Sequence, residues 1–231
     1  MNELILIGSV FLYFGAILLF KRLWGKSGLI AIICLASVMV NIEVLNIVNI
    51  FGMNMAMGCV LFNVIFLSVQ VLNESYGEKA AKTGVHLGLV SMVTMVVVTQ
   101  LVLLYEPAES DWVRSSMAGV FTLAPRIVGA SLTAYFFSQY FNVKFYRWIW
   151  DKTTNRSGSR EKLLWLRNTV TTCIAQVIDN TLFTCLAFIG IFEADVIVSI
   201  IIMACLIAWV LAAVDTPFMY LARRIKCKEE L

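Results

Sequence analysis

Asp179 stands near the middle of NTVTTCIAQVIDNTLFTCLAFIG, residues 168–190, an apolar run about one bilayer thick. A carboxylate at the centre of a bilayer costs roughly 2.5–3.5 kcal/mol on insertion scales, so it needs a partner, water or a ligand. At the helical period Asn168, Thr172, Gln176, Asp179, Asn180 and Phe183 share one stripe, and the opposite face carries Val, Ile, Leu and Cys. Such a stripe is expected to form one wall of a polar cavity inside a membrane protein.

Other apolar runs carry similar groups. Glu43 and Asn46 fall on one face at i, i+3, and Asn63, Gln70 and Glu74 align on another stripe. Pro125-Arg126 brings a backbone break and a permanent charge into a fifth run, and Asp215-Thr216-Pro217 does the same with a carboxylate near the end of the chain. Facing hydrocarbon, Glu43, Arg126, Asp179 and Asp215 would together cost on the order of 10 kcal/mol. They are therefore expected to converge, with Asn46, Gln70, Glu74, Asn168, Gln176 and Asn180, on one chamber whose flat walls are Phe183, Tyr135 and Phe137. Carboxylates, amides and one guanidinium together suit a planar, hydrogen-bonding heterocycle better than a bare ion or a lipid. Asp179 and Asp215 are also the candidate coupling groups, since desolvation can raise a carboxyl group toward proton exchange near neutrality.

The elements that must position these groups follow from composition. Of 231 residues 60% are hydrophobic and only 14% charged, which excludes an ordinary soluble domain. The fold class expected is all-α, a polytopic membrane bundle of six to seven transmembrane helices in a single domain over residues 1–231. The spans read as 4–20, 28–51, 54–73, 83–104, 117–140, 168–190 and 196–221. Every Lys and Arg except Arg114 and Arg126 then falls in segments on one side, which by the positive-inside rule is the cytoplasm. The N-terminus is expected outside and the C-terminus inside. Residues 141–167 interleave Lys144, Arg147, Lys152 and Arg156 with Tyr146, Trp148, Trp150 and Trp165, a pattern that anchors a cytoplasmic segment at lipid headgroups rather than on nucleic acid.

Several chemistries are disfavoured. Gly25-Lys26-Ser27 lacks the upstream glycine of a phosphate loop, position 20 being Phe, so it reads as a basic turn. The six cysteines form no CxxC, and no cofactor or metal is expected. There is no GxSxG or HExxH pattern, and His86 has no obvious nucleophile beside it, so the chain is not expected to be an enzyme. Gly84 and Gly88 form a small-xxx-small pair that marks either packing within the chain or a homodimer face.

Four separated segments carry a family resemblance: residues 71–82 (VLNESYGEKAAK), 125–141 (PRIVGASLTAYFFSQYF), the IAQVIDNTLF run at 174–183, and 215–224 (DTPFMYLARR). In this order they resemble the queuosine-precursor transporter family, also called vitamin uptake transporters, over roughly residues 30–226. The resemblance implies a multi-pass protein of the bacterial inner membrane that imports 7-deazaguanine bases or queuine for tRNA modification. A guanine-like edge presents a ring N–H beside an exocyclic amine, which one carboxylate can accept together, and a carbonyl that wants a donor. Asp179 or Glu43 would take the donor edge, Arg126 or Gln176 the carbonyl, and Asn180 a supporting contact. The alternative is a ligand-capture subunit that depends on a separate ATP-driven partner.

Overall fold

In a computed structural model the chain is described over residues 2–43, 46–50, 53–108, 110–121, 125–157, 164–190 and 193–225. The architecture is an all-α polytopic bundle. Among the described residues seven helices run α1 Asn2–Glu43, α2 Gly58–Tyr76, α3 Glu78–Leu104, α4 Arg114–Phe121, α5 Pro125–Ser157, α6 Leu164–Phe188 and α7 Ala194–Arg224. Five of them, α1, α2, α3, α6 and α7, are long and apolar enough to cross a membrane.

α1 is two arms joined at Gly25, whose φ of 54° and ψ of −124° suit a residue without Cβ. A straight helix of 42 residues would be about 60 Å long. Instead Asn2, Ile5 and Leu6 share a depression with Asn46, Val48 and Met57, so the arms run antiparallel and the basic turn lies at the far end. The approach there is close: a Cβ on Gly28 would collide with the Phe20 carbonyl oxygen. Val10, Phe14, Ile17 and Lys21 form the buried stripe of the first arm, while Leu4, Phe11, Leu12 and Leu19 are exposed where lipid would lie. Phe14 packs edge-on against Phe218 of α7, with centroids 5.2 Å apart, which ties this arm into the bundle.

α2 is the centre. Every residue from 63 to 73 is buried, and α1, α3, α5, α6 and α7 all pack on it. It ends at Gly77, φ 84°, where the chain turns into α3. On α3, a Cβ at Gly84 would meet Leu72 of α2 at 2.9 Å, and one at Gly88 would collide with the Tyr135 hydroxyl of α5. This small-residue pair therefore serves packing within the chain.

Three features depart from the periodic reading. The second expected span, 28–51, stops at Glu43, and residues 47–50 and 53–56 pair as an antiparallel hairpin, Ile47 opposite Ala56 and Ile50 opposite Met53. The run VNIFGMNM alternates too weakly to distinguish a strand pair from a helix end. The fifth expected span, 117–140, is divided: α4 ends at Phe121 and Pro125 opens α5, the first-turn position where its missing N–H costs nothing. The Phe121 carbonyl at that break accepts a 2.6 Å hydrogen bond from Gln100 of α3. Finally, α5 continues as helix to Ser157, where a loop is expected, and its basic and aromatic side chains stack, Lys152 lying 3.9 Å from the Trp148 ring centroid.

Candidate functional site

The polar stripe of α6 faces inward. Asn168, Thr172, Gln176 and Asp179 are buried, whereas Ile174, Val177 and Leu186 on the opposite face are exposed toward the lipid side. α2 answers it with its own stripe in antiparallel order. Gln176 Nε2 donates to Asn63 Oδ1 at 2.7 Å, and one layer further along Gln70 Nε2 donates to the Thr172 hydroxyl at 2.6 Å. Each helix thereby gives an amide N–H of the other an acceptor.

At the end of the bundle that holds the N-terminus the stripes diverge around a cavity of about 220 Å³. That is at the small end for a ligand site, below the roughly 300–1,000 Å³ of drug-sized pockets. α6 supplies Gln176, Asp179, Asn180 and Phe183, α1 supplies Asn41, and α2 supplies Cys59 and Phe62; Ser131 and Ala134 of α5 and apolar side chains of α3 and α7 complete the wall. Ser138 of α5 donates to Asp179 Oδ1 at 2.7 Å, and the second carboxylate oxygen has no hydrogen-bond partner among the described residues. Asn41 Nδ2 is held by the Ser37 carbonyl at 2.8 Å, and Asn180 Nδ2 has only a long contact to Cys205 Sγ at 3.8 Å. Asp179, Gln176 and Asn41 can present acceptor oxygens, and Asn180 can present a donor. Phe62 and Phe183 offer ring surface, and Tyr135 meets Phe62 edge-on from behind at 6.4 Å between centroids.

The expected chamber is resolved into three levels. Gln176, Asp179, Asn180 and Phe183 line the cavity as the stripe implies. Gln70 and Asp215 lie one level away, in a buried layer where Gln70 also reaches Asn142 Oδ1 at 3.2 Å and Asn168 Nδ2 donates to Asp215 Oδ1 at 2.5 Å. Glu74 lies at the far end, accepting from the Tyr146 hydroxyl at 2.7 Å and facing Arg223 at 3.7 Å. It is not part of the cavity, because α2 carries it almost a full helix length from Gly58.

Glu43 and Asn46 do not join the cavity lining either. The helix stops at Glu43, a turn closes from Asn46 N to the Glu43 carbonyl at 3.0 Å, and Asn46 points to the exposed depression beside Asn2, so their shared helical face does not exist. Phe137 is 55% exposed on the outside of α5, and Tyr135 is buried behind the wall rather than in it. Arg126 occupies the first turn of α5, but its side chain lies outside the described residues. Sequence reasoning passed over Asn41, Phe62 and Ser138; Asn41 and Ser138 carried a signal as polar residues inside apolar runs, while Phe62 carried none.

The sequence profile of a family described as "Putative vitamin uptake transporter" matches residues 56–222. A protein of Bacillus subtilis (strain 168) described as "Probable queuosine precursor transporter" is 36% identical over 219 residues, which cover 95% of this chain and 93% of that protein. No solved structure matches the chain.

Proposed function

The chain belongs to the vitamin uptake transporter family, and on that premise we propose that it imports queuosine precursors, 7-deazaguanine bases or queuine, across the bacterial inner membrane for tRNA modification. The observation that carries the reading is the Asp179 carboxylate, held by Ser138 and lining a small cavity with amides and two phenyl rings. In the pose we favour, Asp179 accepts the ring N–H and exocyclic amine side by side, Asn180 donates to the base carbonyl, and Phe62 and Phe183 flank the ring. Gln176 donates one amide proton to Asn63, and its oxygen is left as an acceptor. Arg126 at the start of α5 remains our second candidate donor for the carbonyl.

The levels support alternating access. The cavity lies toward the N-terminal end, which the distribution of Lys and Arg places outside, with the C-terminus in the cytoplasm. The Gln70 layer and the Glu74, Tyr146 and Arg223 cluster stand between it and the other side. The state is therefore read as outward-facing, and release inward requires those two levels to part. The chain acts as a carrier, not an enzyme, and needs no cofactor of its own.

Proteoliposomes containing this chain alone test the reading. Accumulation of a labelled 7-deazaguanine base, competed by the other precursors, is expected; specific binding without entry into the lumen would convert the carrier into the capture subunit of a larger importer.

A further inference from the structure

The layer one level from the cavity contains more oxygen than its hydrogen bonds use. Asp215 of α7, Asn168 and Thr171 of α6 and Gln70 of α2 are each at least 99% buried. Asp215 Oδ2, Asn168 Oδ1, Thr171 Oγ1 and Gln70 Oε1 have no hydrogen-bond partner among the described residues. Their connections keep them together: Asn168 Nδ2 holds the other Asp215 oxygen at 2.5 Å, and Gln70 Nε2 approaches the Asn168 carbonyl at 3.3 Å. Asn168 and Thr171 lie at i, i+3 on one helix face.

The nearby cations are engaged elsewhere. Lys21 donates to Ser75 at 2.7 Å and to the Ala222 carbonyl at 2.6 Å, and Arg223 faces Glu74. Asp215 is thus a buried carboxyl group with an amide for company and no ion pair among the described residues, a costly arrangement for the ionised form unless a proton or a cation joins it. Two residues on, Pro217 lies inside α7, which continues through it, and leaves the Ala213 carbonyl without its helical donor.

We propose that Asp215, Asn168, Thr171 and Gln70 form a monovalent-cation site, taking sodium, whose occupancy is coupled to uptake. One carboxylate balances one positive charge, and the neutral amide and hydroxyl oxygens are the ligands a hard cation prefers. No group of three or more His, Cys, Asp or Glu side chains is arranged for a metal ion among the described residues, which sets this site apart from divalent sites. The ion would tie α2, α6 and α7 together about 15 Å along α6 from Asp179, so the helix that holds the base also holds the ion. By linkage, sodium and base then raise each other's affinity by the same factor. This coupling rests on the base-import reading, whereas ion binding itself does not.

The test uses purified full-length chain in nanodiscs with labelled sodium and choline as the balancing cation, and no base. Saturable binding is expected, abolished in Asp215→Asn, weakened about tenfold or more in Thr171→Val and retained in Thr171→Ser, all with wild-type melting profiles. Absence of saturable sodium binding by the folded wild-type protein overturns the site, as does binding undiminished in Asp215→Asn. Base uptake into proteoliposomes is then compared under a sodium gradient and in choline. Faster uptake with sodium, lost in Asp215→Asn, supports coupling, and equal uptake in the two overturns it while leaving base import standing. Sodium binding as predicted, with no base transported under any gradient, sinks the import reading and keeps the ion site.

Discussion

Ser138 on α5 donates its hydroxyl to Oδ1 of Asp179 on α6 at 2.7 Å, joining the two helices at the wall of the cavity. The contact fixes the carboxylate plane and leaves the second oxygen for a ligand. A hydrogen bond to a charged group is worth about 1.5–3 kcal/mol, so Ser138→Ala should weaken base binding by about tenfold or more without unfolding the chain. Saturation binding on purified protein measures this; unchanged affinity would mean that the carboxylate is oriented by something else.

The reversal in α1 makes a steric prediction. A methyl group on Gly28 would press on the backbone oxygen of Phe20, which has little room to move, whereas around Gly8 nothing lies within 4 Å of a Cβ. Overpacking of this kind costs about 1–3 kcal/mol. Gly28→Ala should therefore melt earlier in detergent than wild type and Gly8→Ala should not. Equal melting of the two variants would argue against the tight antiparallel turn.

Tyr146 secures the far end of α2 through its 2.7 Å bond to Glu74, whose side chain is only 2% exposed. Removing the hydroxyl leaves a buried carboxylate short of one donor, at a cost of about 1–3 kcal/mol. Tyr146→Phe is expected to lower thermal stability accordingly while base affinity stays within about twofold of wild type, because Glu74 is not in the cavity wall. A large loss of affinity with intact stability would return Glu74 to the binding site.

Orientation is tested by fusions. A fluorescent protein at the C-terminus should mature and glow, and alkaline phosphatase there should be inactive, as a cytoplasmic C-terminus requires. The reverse pattern would invert the assignment of the cavity to the outer side.

Much of the bundle was legible because hydrophobic period is a local property. The α6 stripe from Asn168 to Phe183 faces inward over its whole length, as its spacing implies. What the period does not encode is depth. Asn168 and Asp179 share a face, yet eleven residues of helix separate them by about 16 Å, so one stripe serves a cavity and a separate buried layer. The same limit moved Glu74 to the far end of α2. Glu43 and Asn46 failed for another reason: a shared face presumes a helix that holds both, and α1 ends at Glu43 while Asn46 is not helical. Phe137 is a third case, since neighbouring aromatics on α5 point to opposite environments and composition alone does not say which one meets the ligand.

The most direct test of the import claim is tRNA queuosine in a bacterium that can neither make nor import the precursors, expressing this chain alone and fed each base in turn. The account predicts that at least one base restores modification through the wild-type chain, and that Asp179→Asn at equal membrane abundance does not. Full restoration by Asp179→Asn would contradict the role given to the carboxylate, and no restoration by a well-inserted wild-type chain would contradict import by this protein on its own.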